Sequence, residues 1–388
     1  MEREDHGNGG VVTVRFFALA LLALTAAAGP HFPYRRAGAN SGGPWLFPDY
    51  QRRILITIDS AQVDSTLTNF PVFIDYDLMP STFHSNVQSD ADDVRVSDST
   101  HVAEYDIDNV VYDAGADDGE AWTCLPSISS SIDTGFYLYY DYASATAYSN
   151  PQDVWDATGS DFMGVWHLQA AGNATQDCAT GDSDLDLTAV NLESGDSEAG
   201  ITGSAVHYDG SNEYHQVEGT AVTSNLRPDT SFSMSAWINQ DVTTSDDFIG
   251  GHLDSTTKGY GLWKYTSGSN FRPTIGNGSS TAWSNLNEPT SGKSTGVWYH
   301  IAVTWDGSTG KLYWDGAEAD SHSVTGSFFW PGNDDFFLGK RPSHNYWAGL
   351  IDEVHVSDYT LSAAWIKAEE INQRTPGTFY TVGTEETQ

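Results

Sequence analysis

The stretch "WYHIAVTWDGSTGKLYWDG", Trp298 to Gly316, decides how the chain is read. It carries the tripeptide Trp-Asp-Gly twice, ending at Gly307 and at Gly316. Asp306 and Asp315 are either a carboxylate pair for acid–base chemistry or two turn residues. The flanking residues decide between these. "WYHIAVTW" and "KLYWDG" are rich in β-branched and aromatic side chains, which suit a pleated, half-buried surface. "DGSTG" between them holds the φ-permissive residues that close a hairpin. Each Asp precedes a Gly, where a short carboxylate accepts hydrogen bonds from nearby backbone N–H groups. The pattern predicts a β-hairpin with two turn aspartates.

Working outward, "FSMSAWI" repeats with period two: Phe232, Met234, Ala236 and Ile238 alternate with Ser233, Ser235 and Trp237. Strand-like runs also fill the earlier part of the chain: "RRILITID", "FPVFIDYD", "DDVRVSD", "EYDIDNVVYD", "EAWTCLPSI" and "GFYLYYDYA". Turn residues separate them at spacings that fit a small β-sandwich. "SNPQDVWDATGSDF", Ser149 to Phe162, marks the boundary between two regions. Only "LSAAWIKAEEINQ", Leu361 to Gln373, predicts a helix, with Ser362 as its cap and Leu361, Trp365 and Ala368 on one face. The expectation is an all-β protein of two β-sandwich domains, residues 50–157 and 158–373, with one short C-terminal helix and a closing strand and tail at 374–388.

Two domains also suit the length of 388 residues. The chain has 17 basic and 53 acidic residues, a net charge of −36, so it repels phosphate backbones and anionic lipid. The balance argues against nucleic-acid and membrane-surface roles. The same charge suits divalent cations or a salty medium, and simple solubility explains it equally well. "RFFALALLALTAAAG", Arg15 to Gly29, reads as a secretory signal ending in the small residues Ala26 to Ala28, so residues 1–28 are expected to be removed on export. Its apolar run of about a dozen residues is too short for a comfortable membrane crossing. Residues 29–49, rich in Pro and Gly, predict a linker. Cys124 and Cys178 would suit one disulfide in an exported protein, or two small buried residues.

The second region resembles the laminin-G-like, concanavalin A-like lectin/glucanase domains. The residues that carry this are "GSAVHYDGSNEYHQV" (Gly203 to Val217), "FSMSAWIN" (Phe232 to Asn239), the opening hairpin and "GLIDEVHVS" (Gly349 to Ser357), in the expected order. The first region is similar to a bacterial and archaeal domain of unknown function, number 2341, through "RRILITIDSAQVDSTLTNFPVFI", "DDVRVSD", "AWTCLPSISSSIDTGFYLYYDYASA" and "VWDATGSDFMGVWHL". The resemblance implies a jelly-roll sandwich of two antiparallel sheets for the second domain, and no established activity for the first.

A glucanase on such a fold would carry Glu-x-Asp-x-x-Glu on one strand, with alternation aiming the carboxylates at one sugar. The nearest stretch, "LIDEVHV", has Asp352 and Glu353 adjacent, and strict alternation sends them to opposite sides. Zinc-helix, nucleophile-elbow and phosphate-loop motifs are all missing from the sequence. "NATQDCATGDSDLDL", Asn173 to Leu187, resembles the Asp-rich loop that holds structural calcium in many relatives. That resemblance implies Asp177 and Asp182 as ligands, with Asp352 adding a carboxylate from the last strand; a solvated acidic loop is the competing reading. Trp330, beside Pro331 and Gly332, and Arg272, beside Phe271, are candidates for ligand contact, with core packing as the alternative for the tryptophan. The expected function is non-catalytic glycan recognition or adhesion outside the cell or at its surface. Two alternatives stand beside it. One is a self-associating structural subunit of an extracellular layer, fibre or particle. The other is an enzyme with its site in the first domain, where "DDVRVSD" offers Asp92, Asp93 and Asp98.

Overall fold

The computed structural model describes residues 34–36 and 45–388, apart from the stretches 156–161, 172–174, 177–178, 182, 220–221, 223–224, 244, 254–257, 266–268, 278–285, 331–334 and 343–344. The opening hairpin forms as its sequence predicts. Trp298–Trp305 and Thr309–Trp314 pair antiparallel, with Val303 opposite Leu312. Asp306 Oδ1 accepts from the N–H groups of Ser308 (2.9 Å) and Thr309 (2.7 Å), while Gly307 takes φ +86°. Asp315 sits in the next turn at φ +46°, and its Oδ1 accepts from His300 N–H at 3.0 Å. Both aspartates are turn residues.

The hairpin belongs to a sheet ordered Ser197–Ala199, Ser204–Asp209, Ala348–Ser357, Phe232–Gln240, Trp298–Trp305, Thr309–Trp314 and Ala317–Ser323, with Phe162–Trp166 also paired to Ala348–Ser357. A second sheet faces it, ordered Thr175–Gln176, Leu187–Val190, Tyr214–Val217, Phe336–Leu338, Asp247–Leu253, Lys258–Tyr265, Asn270–Asn277 and Glu288–Pro289. Between the two lies a core that includes Met234, Ala236, Ile238, Ile301, Val303, Leu262 and Leu338. The alternation in "FSMSAWI" put Met234, Ala236 and Ile238 inside for this reason: successive side chains leave a strand on opposite sides.

The first region is built from a three-stranded sheet, Leu67–Asp75, Asp118–Ile128 and Ile107–Asp113, and a six-stranded one. The six-stranded sheet runs Tyr34–Arg36, Ala103–Tyr105, Arg95–Asp98, Thr134–Tyr140, Arg52–Ile58 and Tyr380–Thr387. Its last strand comes from the far end of the chain: Arg52 lies opposite Thr387 and Ile58 opposite Tyr380. Tyr34–Arg36 also pairs with Ala103–Tyr105, so part of the expected linker is strand.

The helix Ala363–Arg374 makes the return possible. Ser362 Oγ caps it by accepting from Trp365 N–H at 3.1 Å, as the sequence predicts. Leu361, Trp365 and Ala368 are buried in a core that also holds Phe70 and Ile56 of the first region and Ala302 and Tyr313 of the second. Asn372 grips the backbone of Phe73, its Oδ1 accepting from N–H at 2.8 Å and its Nδ2 donating to C=O at 3.1 Å. On the other side, Trp237 Nε1 donates to Gln373 Oε1. The helix is thus glued to both sandwiches, and residues 32–388 form one compact unit. Cys124 is a free, fully buried thiol on Asp118–Ile128, and Cys178 lies outside the described residues.

Candidate functional site

The sheet that faces away from the helix carries a second apolar cluster, separate from the core beneath it. Alternation along Lys258–Tyr265 sends Tyr260 and Leu262 inward and Trp263 outward. Register then aligns Phe248, Trp263 and Arg272 across three neighbouring strands. Phe248, Leu253, Trp263 and Phe337 form this cluster, with Tyr214 and Tyr265 at its edge. Gly261 leaves room for it, because a Cβ there would come within 2.8 Å of the Phe248 ring.

Cationic side chains cover these rings. The Arg272 guanidinium lies 4.1 Å from the Trp263 centroid and 3.9 Å from that of Tyr265. Arg341 lies 5.1 Å from the same indole. Lys340 Nζ stands 3.9 Å from the Tyr214 ring centre and 4.9 Å from that of Phe337. Such contacts are worth about 0.5–2 kcal/mol each, depending on desolvation. The indole N–H of Trp263 is already satisfied by Thr274 Oγ1 at 3.1 Å. Burial pulls the Arg272 guanidinium below its ordinary pKa, and the Arg341 charge adds to this against Tyr265 and Asp246. Its Nε is buried without a hydrogen-bond partner. The nearby Lys264–Asp247 pair, at 2.6 Å and fully buried, neutralises itself.

Trp330 stands apart from this group. Its ring stacks on Phe328 (4.8 Å, 15°) and on His252 (5.6 Å, 14°), with Arg227 5.4 Å from its centroid. It is half-buried against the second core, so packing rather than an open sugar platform describes it.

The chain's other concentration of chemistry lies sealed between the sandwiches. Glu353 takes φ +43°, which breaks the expected alternation along Ala348–Ser357, and Asp352 and Glu353 end in one polar cluster. Both meet Thr202: its N–H donates to Asp352 Oδ2 at 3.2 Å and its hydroxyl to Glu353 Oε1 at 2.9 Å. From Glu353 a chain of alternating charge runs both ways. His167 bridges Glu353 (2.9 Å) to Asp108 of the first region (3.3 Å), and His355 bridges Glu353 (3.0 Å) to Glu369 of the helix (2.8 Å). Each imidazole meets a carboxylate at both nitrogens, which requires the doubly protonated form. Burial opposes that charge, but Glu353 and Asp108 raise the His167 pKa, and Glu353 with Glu369 raises that of His355. Burial likewise works against ionised Glu353, yet His167 and His355 hold it down to about 2. Glu120 is fully buried beside this chain, and burial followed by the Glu353 charge pushes it up to about 8, against the lowering effect of His167 and Thr202.

Asp352, the carboxylate expected from the last strand, is bound up in backbone contacts. It is fully buried; Oδ2 accepts from Ile201 N–H at 2.8 Å, and Oδ1 from Glu353 N–H at 2.9 Å. Burial and the Glu353 charge also raise its pKa, which favours the neutral acid. Asp177 and Asp182 lie outside the described residues, and no group of three metal-ligating side chains is found among the described ones. In the first region, Asp93 accepts from the N–H groups of Gln88, Asp141 and Tyr142, and Asp98 from those of Val102 and Ala103. These carboxylates hold loops.

The family model described as the concanavalin A-like lectin/glucanases superfamily matches residues 209–367. No curated protein matches the chain. Among solved structures, domain 4 of a GH43 extracellular arabinanase from Geobacillus stearothermophilus, in complex with arabinotriose, is 21% identical, with a TM-score of 0.43 over 53% of this chain and 97% of that one. A sialidase from Trypanosoma rangeli is 14% identical, TM-score 0.40, over 55% of this chain and 33% of its own. The receptor-binding domain of botulinum neurotoxin C/D mosaic serotype is 14% identical, TM-score 0.42, over 55% and 51%. The chain therefore spans about a third of the sialidase and about half of the toxin domain. Residues 209–367 are a concanavalin A-like domain of the lectin/glucanase superfamily.

Proposed function

We propose that the protein is an extracellular or cell-surface, non-catalytic binding protein that recognises glycans, in an adhesive role, through the outer face of its lectin-like domain. The observation that carries this reading is the aromatic cluster of Phe248, Trp263 and Phe337 on the side of the sheet away from the core. An antiparallel sheet that met only water would carry polar residues there. Here the rings are buried beneath Arg272, Arg341 and Lys340, an apolar floor with a few convergent polar groups over it, as ligand sites have.

Export rests on the signal-like run Arg15–Gly29. The non-catalytic reading draws support from the carboxylates: those of Asp352 and Glu353 are sealed from solvent, and those of Asp93 and Asp98 are occupied by backbone N–H groups. The first region, with its likeness to domain of unknown function 2341, serves in this reading as the base to which the lectin-like domain is fixed. Calcium would be a structural ion held by Asp177 and Asp182, with Asp352 adding a carboxylate from the last strand. A self-associating structural subunit is the alternative, with the same face meeting protein.

A glycan array probed with residues 29–388 tests the reading. Selective binding that Trp263→Ala removes supports it. Absence of glycan binding, with self-association in sedimentation, supports the structural subunit instead.

A further inference from the structure

We propose that this face selects acidic saccharides, those bearing carboxylate or sulfate, and that Arg272 is the residue that sets the selectivity. The inference rests on the reading of the face as the ligand surface. A neutral sugar needs an open ring to stack on, and Trp263 offers little: only 4% of it is exposed, and two guanidinium groups cover it. The groups laid over the rings are the partly exposed cations Arg272, Arg341 and Lys340. Among the described residues, neither Arg272 nor Lys340 has a carboxylate within 4.0 Å, and Asp246 acts on Arg272 from farther away, although the chain holds about three acidic residues for every basic one. Arg272 and Arg341 also share one indole and repel each other. An anion beside Arg272 would add to the favourable charge that Asp246 already supplies from a distance and give its fork two parallel acceptors. The remaining charge of the protein is screened beyond about 8 Å at physiological salt, so a local cationic patch can act on a net anionic molecule.

The test measures binding of residues 29–388 to polygalacturonate (carboxylate), dextran sulfate (sulfate), arabinan and dextran (neutral) and poly-glutamate (anionic, not a saccharide). The expected result is binding to at least one acidic polysaccharide in preference to the neutral ones. It should weaken about tenfold with Arg272→Gln, as loss of a charge-assisted fork implies. Lys340→Gln should give a smaller loss, and Arg272→Lys should recover only part. Unchanged circular dichroism and melting separate these effects from misfolding, and Lys340→Gln serves if Arg272→Gln fails to fold. Binding to neutral polysaccharide alone, indifferent to Arg272→Gln, overturns the acidic selectivity and leaves the glycan reading standing. Binding to none of the polysaccharides overturns both. Equal affinity for poly-glutamate overturns the saccharide selectivity.

Discussion

Replacing Glu120 by Gln should stabilise the protein above neutral pH and change it little near pH 5. In the unfolded chain this carboxyl titrates near its ordinary 4.5, and in the folded one near 8. Between those values the folded protein holds a proton that the unfolded chain releases. Stability therefore falls as pH rises through this window. At about 1.4 kcal/mol per pH unit, the gap sets a ceiling of about 5 kcal/mol. Asp352 and Glu353 share the same field and readjust, and Gln brings its own unpartnered polar atoms into the site, so we expect about 2 kcal/mol. His167 and His355 also lose stabilisation as pH rises through their raised folded values, but both proteins contain them, and the difference isolates Glu120. Urea unfolding followed by tryptophan fluorescence, at about pH 5 and about pH 8.5, reads the effect as a shift in midpoint at constant slope. A variant shifted equally at both pH values, or one that loses ground to the unmutated protein as pH rises, would refute the reasoning.

Trp365→Ala should cost about 3–5 kcal/mol, because it empties the junction of helix and both sandwiches, and thermal melting will show it. Ending the chain at Phe379 removes the edge strand Tyr380–Thr387 and the buried Tyr380; trypsin should then cut the first region while the second stays resistant. If Asp177 and Asp182 hold calcium, melting of the unmutated protein should rise in calcium over chelator, and Asp177→Ala should remove that gain. Asp352→Ala should lower the melting temperature even in chelator, since it strips the acceptor from the N–H groups of Ile201 and Thr202.

Local pattern carried the strands, the hairpin and the helix cap, because each depends on neighbours a few residues away. Period two located Met234 and Ile238 inside, and Asp-Gly pairs located the turns. Arg272 was legible as a basic residue beside an aromatic one, but its two ring neighbours come from register across strands, which no local window contains. For Trp330, Pro331 and Gly332 indicate a neighbouring loop, while its stacking on Phe328 and His252 comes from residues that no pattern at the site points to. The alternation argument for Asp352 and Glu353 failed at one residue, where positive φ at Glu353 turns both carboxylates to one side. The acid–histidine chain stayed hidden entirely. Asp108, His167, His355 and Glu369 are scattered through the sequence, and only the docking of the two sandwiches brings them together.

The pairing of Arg52 with Thr387 has a mechanical consequence. Strands Arg52–Ile58 and Tyr380–Thr387 run antiparallel, so Arg52 and Thr387 lie side by side at one corner of the six-stranded sheet. Tension applied between those points pulls along the inter-strand hydrogen bonds and parts them one after another, as a zip opens, whereas tension along the strands would load all of them at once. The lectin-like domain, carried between those two strands in sequence, stays outside the line of force until the pair has opened. Held by one end only, the same corner acts as a hinge post, and the binding face is presented without bearing the load.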